Sequence, residues 1–394
     1  MDEFQWAKSF QTASYGTICD TLIPAAEESL PERTPASRGS FAPFVCHVAS
    51  LEKKLKSISP IVLDTHSIVK ETGRNLGEGT TFMVRHAHWV KDPNEPPLDV
   101  ALKEIIADVN SSRTSSSEPI QQPQSDWKDI LFEIRALLHE PIRYHPNLVR
   151  LLGIQWGLSA MSESAYPMLI MEYGSVGTFD ALQASSEPLS FPVIQKLCYD
   201  IGRALSALHA CGIVHGDVKH ENVLIFPSKS PVEGDSYTAK LADFGGTVMD
   251  LTPSESRRML TWTWPFQAPE VSSRTQLTKV EMMSTDTYSF GLLLWRAFAD
   301  GQGFITLSGA TQNASALDKA ALNAKKASKE FTNIALADLT KYAVERSMPS
   351  ACCDLFVYAI LHTVRLKPGD RDLAKAQAAL RGIKSVSSTV CHNY

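Results

Sequence analysis

The chain has 394 residues, 44% of them hydrophobic, which supplies apolar material for one large or two medium cores. Its 38 Lys and Arg against 43 Asp and Glu give a formal net charge of −5, so no global attraction to nucleic acid or to an anionic membrane is expected. The longest apolar stretch, around Phe290 to Ala299, is too short and too interrupted to span a bilayer, and the seven Cys contain no CxxC and no paired framework, as expected in a reducing compartment. Asp2 and Glu3 stand where a signal peptide would carry basic residues before an apolar run, so the expected location is cytoplasmic or nuclear.

Residues 1–67 mix short apolar pieces with Glu and Pro and read as an extension of unassigned role. From 61 to 103, Ile61, Val62, Val69, Val84, Val100 and Leu102 recur between Gly and Pro turns, which predicts strands. Residues 108–126 are polar, rich in Ser and Gln, and lack a hydrophobic period, so a flexible insert is expected there. Ile130, Ile134, Leu137 and Leu138 have helical spacing over 129–139. Met168 to Met171 reads as a short buried strand. Phe191 to Ala210 reads as a long helix with Ile194, Leu197, Cys198, Ile201, Leu205 and Leu208 on one face. Helical patterns dominate after Met282. Cys352 and Cys353 sit in an apolar run, where buried thiols are the ordinary reading. A strand-rich front and a helix-rich back fit two unequal lobes.

Between the long helix and an apolar strand, residues 215–222 read HGDVKHEN, and Asp243-Phe244-Gly245 follows the next short strand. Phosphoryl transfer needs divalent metal to neutralise phosphate oxygens and a positioned carboxylate to orient the attacking hydroxyl. Mg²⁺ prefers a few hard oxygen ligands, which Asn222 and Asp243 supply. Asp217 is the candidate base, and Lys219 the candidate holder of the γ-phosphate. For a lone Asp a turn or helix cap is the ordinary reading; here the order and spacing of the whole set argue for chemistry.

These residues resemble the catalytic loop and metal-binding triplet of the eukaryotic protein kinase family. Further segments follow in the family's order. Leu76-Gly77-Glu78-Gly79, then Val84, resembles the glycine-rich loop, and Val100-Ala101-Leu102-Lys103 the strand bearing the phosphate-pairing Lys. Glu133 lies on the next helix, where the family places the partner of that Lys. Residues 145–153 resemble the turn and strand after this helix, and residues 169–173 the strand entering the hinge between lobes. Ala268-Pro269-Glu270 resembles the end of the activation segment, residues 286–291 the start of the central large-lobe helix, and Arg371 the late Arg that pairs with Glu270.

The resemblance covers residues 68–385 and implies an α+β, bilobal fold. A small lobe at 68–173 would hold an antiparallel sheet and one main helix; a mainly helical large lobe at 174–385 would precede a tail at 386–394. It implies Mg·ATP and a protein substrate. Lys103, paired with Glu133, would bind the α- and β-phosphates, and Gly77 and Gly79 would let backbone approach phosphate. Val84, Ala101 and Leu224 would sandwich the adenine, Met171 would limit the depth of the pocket, and backbone groups of Glu172 and Gly174 would bond the base. Asp217 would act as base, and Asn222 and Asp243 would hold the metal. Thr263, bonding Asp217 and Lys219, points to the Ser/Thr branch, as does Lys219 itself. His215, Phe244, Leu137 and Asp286 would be internal supports.

Three positions depart from the family's pattern. Gly216 replaces the catalytic-loop Arg that receives an activation-loop phosphate, so activity independent of phosphorylation at Thr252, Ser254 or Ser256 is expected. Phe82 occupies the third glycine position, where a bulky side chain is expected to restrict the loop and slow nucleotide exchange while leaving the phosphate contacts of the first two glycines; His220 replaces a Pro, with no large consequence expected. Residues 301–348 lack the family's landmarks and read as solvated surface helix; with 1–67 they are the candidate surfaces for protein partners. Two other readings remain. His215-Gly216-Asp217 also resembles small-molecule phosphotransferases, which lack the Ala-Pro-Glu segment. A pseudokinase scaffold would have no chemical need for Lys103, Glu133, Asp217, Asn222 and Asp243 together.

Overall fold

The computed structural model describes residues 67–78, 82–105, 127–158, 165–185, 187–228, 236–252, 254–259, 263–273, 276–304 and 316–381, together with Val48 and Leu63. The expected insert at 108–126, most of the 1–67 extension, Gly79 and the 386–394 tail lie outside the described residues.

The front of the chain forms five strands, β1 (Ile68–Glu78), β2 (Phe82–Trp89), β3 (Leu98–Ile105), β4 (Leu151–Leu158) and β5 (Ala165–Glu172). They build one antiparallel sheet in the order β1-β2-β3-β5-β4. Side chains alternate between faces along a strand, and β3 shows how both faces are used. Val100 and Leu102 point into a cluster with Ala87, Met168 and Ile170, while Ala101 joins the main core on the opposite face. Helix α1 (Trp127–Leu137) buries Ile130, Ile134 and Leu137 in that main core. The predicted helix is thus present, shifted by two residues at each end. The strand predicted over Met168 to Met171 belongs to the longer β5.

A helical lobe follows. The short pair β6 (Gly177–Thr178) and α2 (Phe179–Gln183) leads to α3 (Phe191–Ala210), which has the predicted bounds. Ile194, Leu197, Cys198, Ile201, Leu205 and Leu208 are all buried on it. Strands β7 (Val223–Pro227) and β8 (Tyr237–Leu241) pair antiparallel and bracket the loops that carry the site. Strand β9 (Ser256–Arg257), α4 (Pro269–Ser273), β10 (Leu277–Thr278) and α5 (Lys279–Phe298) come next. At the start of α5, Thr278 Oγ1 accepts the Glu281 N–H while the Glu281 carboxylate accepts the Thr278 N–H, a capping box that fixes where the helix begins. From Thr285 to Phe298 every residue of α5 is buried, the pattern of a helix enclosed by protein on all sides.

The last helices are α6 (Ala316–Lys326), α7 (Phe331–Glu345), α8 (Ser350–Thr363) and α9 (Leu373–Arg381). They correct the expectation of a solvated helix within 301–348. Phe331, Ala335, Leu339 and Ala343, spaced by four, pack into the main core from α7. Lys326 at the end of α6 is 2% exposed. Among the described residues no helix is long and apolar enough to cross a membrane.

Candidate active site

The two lobes meet around Lys103. Its ammonium donates to both carboxylate oxygens of Glu133, at 2.7 and 2.9 Å, and to Asp243 Oδ1 at 3.0 Å. Glu133 is fully buried on α1, and Lys103 is 6% exposed on β3, so this is an ion pair removed from water. Burial alone would lower the Lys103 ammonium; the carboxylates of Asp243 and Glu133 outweigh it and hold it above its ordinary value. The same ammonium pulls the Asp243 carboxyl down to about 2, against the opposing effect of burial. Asp243 occupies a left-handed backbone position, φ 63°, which directs its half-exposed side chain to the cleft while Phe244 stays buried. The Phe244 ring meets the His215 ring edge-on at 5.3 Å.

The loop before β7 carries the second cluster. Lys219 Nζ donates to Asp217 Oδ2 at 2.6 Å and to Thr263 Oγ1 at 2.7 Å, joining this loop to the segment before α4. Asn222 Nδ2 donates to the Asp217 carbonyl at 2.8 Å and to Asp217 Oδ2 at 2.9 Å. With its amide nitrogen so used, Asn222 keeps its side-chain oxygen for another ligand. The Ala242 N–H donates to the Asn222 carbonyl at 2.8 Å, which ties this loop directly to the residue before Asp243. Asn222 and Asp243 therefore offer two hard oxygens from adjacent chain segments, a donor set suited to Mg²⁺.

The residues expected to face adenine lie on β2, β3, β5 and β7. Val84 pairs with Lys103 and Ala101 with Met171 in the sheet register. Val84, Ala101, Met171 and Leu224 all belong to or pack against the main core, with Met171 7% exposed at its edge. The Glu172 N–H donates to the Arg150 carbonyl at 3.1 Å, and its carboxylate pairs with Arg150 and Lys240. A Cβ built on Gly174 would lie 3.2 Å from Leu224 Cβ and 3.3 Å from the Ile225 carbonyl, so a side chain there would close the gap between hinge and β7. On the opposite wall Leu76 is 37% exposed, Gly77 pairs with Val84 next to Glu78 on β1, and a Cβ on Gly77 would meet nothing within 4 Å.

The supports assigned by the resemblance take defined places. Asp286 accepts the N–H groups of His215 and Gly216 and faces His209. Arg371 pairs through both terminal nitrogens with Glu270, one contact at 2.9 Å, both side chains being buried. Phe82 places its ring 4.5 Å from Lys103 Nζ. His220, expected to have no large consequence, is fully buried, stacks on Phe179 at 5.0 Å and lies 6.0 Å from Phe266. Burial holds its imidazole well below the ordinary histidine range, so it packs as a neutral ring between α2 and the segment before α4.

Two groups near the site were not foreseen. Arg135 donates to Asp250 at 2.6 Å, linking α1 to the segment after Asp243. Lys326 Nζ donates to the carbonyls of Pro265, at 2.6 Å, and Gln267. The charge of Asp250 shortly after the Asp-Phe-Gly triplet was the available hint for the first. Nothing local in the Ala- and Lys-rich sequence around Lys326 marked the second.

The profile of the protein kinase domain matches residues 71–367. Among curated proteins, the chain is 30% identical over 155 residues to the serine/threonine/tyrosine-protein kinase HT1 of Arabidopsis thaliana, covering 39% of this chain and 35% of that one. It is 32% identical over 147 residues to the serine/threonine-protein kinase Tao of Drosophila melanogaster, covering 37% of this chain and 12% of the relative. With the tyrosine-protein kinase receptor TYRO3 of Danio rerio it shares 25% over 236 residues, 58% of this chain and 24% of the relative. The chain thus spans about a third or less of the length of these curated relatives.

Proposed function

The chain belongs to the protein kinase family, and from that premise we propose that it transfers the γ-phosphate of Mg·ATP to Ser and Thr hydroxyls of protein substrates. The observation that carries this reading is the Asp217–Lys219–Thr263 cluster, in which one ammonium bridges the candidate base and a Thr hydroxyl at 2.6 and 2.7 Å. Asp217 orients the acceptor hydroxyl and takes its proton. Lys219 neutralises charge on the phosphate in transfer, and Thr263 holds the two in register. Lys103 binds the α- and β-phosphates from its pair with Glu133. Asn222 and Asp243 hold Mg²⁺, which when bound neutralises phosphate oxygens.

One observation favours a second reading, a nucleotide-binding scaffold without turnover. The Phe82 ring sits over Lys103, where phosphate has to approach. Phosphoamino-acid analysis separates the readings. Protein incubated with γ-labelled Mg·ATP and a mixed protein substrate yields labelled phosphoserine or phosphothreonine under the first. Label on tyrosine alone contradicts the Ser/Thr assignment. Nucleotide binding without transfer to protein or small-molecule acceptors supports the scaffold, and Phe82→Gly then tests whether the ring is the obstruction.

A further inference from the structure

We propose that Glu71, His86, His88 and Asp99 form a binding site for one divalent transition-metal ion of the zinc class, on the face of the small-lobe sheet that looks toward the cleft, beside the hinge. The register brings these residues together from three strands. His86 pairs with Ala101 and His88 with Asp99 across β2 and β3. Glu71 is the residue after Lys70, which pairs with Ala87 across β1 and β2. Side chains two apart on a strand share a face, so His86 and His88 share the face of Val84.

The donor atoms are close. One ligand atom each from Glu71, His86 and His88 lies within 4.8 Å of the others. His86 Nδ1 contacts the Glu71 carboxylate, His86 Nε2 lies 3.3 Å from Asp99 Oδ1, and His88 Nδ1 lies 2.9 Å from the same oxygen. In a tetrahedral site with metal–ligand bonds of about 2.0–2.2 Å, neighbouring donors lie about 3.4 Å apart. One ion bonds a single nitrogen of His86, and Glu71 and Asp99 face opposite nitrogens of that ring, so Glu71, His86 and His88 form the core of the site and the exposed Asp99 carboxylate joins it by side-chain rotation.

One atom of this cluster has no place in a network of ordinary hydrogen bonds. His86 faces a carboxylate with each ring nitrogen. Its Nε2 is buried without a hydrogen-bond partner, although Asp99 is adjacent. Two carboxylates with two imidazoles match the charge of a divalent cation, and nitrogen donors favour zinc-class ions over Mg²⁺ or Ca²⁺. The His86 side chain is 4% exposed, but Glu71 and His88 are 39% and 36% exposed, which leaves an entry path. The His86 ring also lies 4.5 Å from the ring of Tyr173 in the hinge. The ion would pin the ends of three strands next to the segment that joins the lobes.

Stripped full-length protein titrated with Co²⁺, then Zn²⁺, tests the site without reference to phosphotransfer. The expected result is one Co²⁺ per chain with the visible d–d bands of tetrahedral nitrogen and oxygen coordination, displaced by Zn²⁺, and a melting temperature raised by Zn²⁺. His88→Ala and Asp99→Asn, at partly exposed positions, each weaken binding about tenfold or more while melting like the wild type in chelator. Four results overturn the proposal: no stoichiometric binding, a sulfur-to-cobalt charge-transfer band, affinity unchanged in both variants, or a melting temperature indifferent to Zn²⁺.

Discussion

Asp286 holds the backbone of Gly216, accepting its N–H at 2.9 Å from the first turns of the buried helix α5. Gly216 has φ +84°, and a Cβ there would lie 2.5 Å from the Gly246 carbonyl oxygen. The residue that departs from the family's catalytic-loop pattern is thus fixed by backbone on one side and by a close carbonyl on the other. Gly216→Ala is expected to destabilise the protein by about 1–3 kcal/mol and to lower kcat through displacement of Asp217. Thermal melts and steady-state kinetics check both effects.

The Lys103–Glu133 pair gives a stability prediction as well as a catalytic one. Lys103→Met leaves the Glu133 carboxyl at 0% exposure without its ammonium partner. Breaking a buried pair from one side costs about 3–5 kcal/mol. The double variant Lys103→Met with Glu133→Leu is expected to recover part of that loss while remaining inactive. Chemical denaturation reads the recovery, and phosphotransfer reads the loss of activity.

Arg135 and Asp250 tie α1 to the segment after Asp243 with a charge pair that needs no phosphorylation. Asp250 supplies a permanent carboxylate to α1 at 2.6 Å, two residues from Glu133, while Thr252, Ser254 and Ser256 are exposed. Alanine at all three is expected to leave kcat within about threefold. Asp250→Ala is expected to lower it by about tenfold, since an oriented catalytic group is sensitive to small displacements. Kinetics on protein of known phosphorylation state, by mass spectrometry, tests both.

Lys326 gives the pH dependence. Burial brings its ammonium down to about 7 from 10.5. Between those values the unfolded chain binds more protons than the native state, so stability rises with pH over that window. Wild type is expected to gain about 2–3 kcal/mol relative to Lys326→Met from pH 7 to pH 9. Urea denaturation of both proteins across that range is the check, and a constant difference would remove the assignment.

What could be read along the chain was whatever sequence proximity encodes. Asp217, Lys219 and Asn222 share one loop, and the 3.6-residue period of α3 is visible in its own twenty residues. Lys103, Glu133 and Asp243 are far apart, yet Lys103 and Asp243 each sit inside a short motif that announces them, and Glu133 follows from its place on the next helix. Lys326 has no such motif. Its partners are backbone carbonyls of Pro265 and Gln267, and any sequence supplies carbonyls. The buried face of α7 was misjudged for a related reason. Ala335 and Ala343 carry little hydrophobic signal, and α7 packs against other helices, α8 and α5, that its own sequence does not announce. Glu71, His86, His88 and Asp99 lie on three strands, and only the register sets them side by side.

The most direct test of the central claim compares wild type with Asp217→Asn in single-turnover phosphotransfer, with nucleotide affinity measured in parallel. The account predicts transfer to Ser or Thr by the wild type, a loss of about 10²- to 10⁴-fold in the variant, and equal Mg·ATP affinity in both. Equal transfer rates would contradict it, as would a wild type that binds Mg·ATP and transfers nothing.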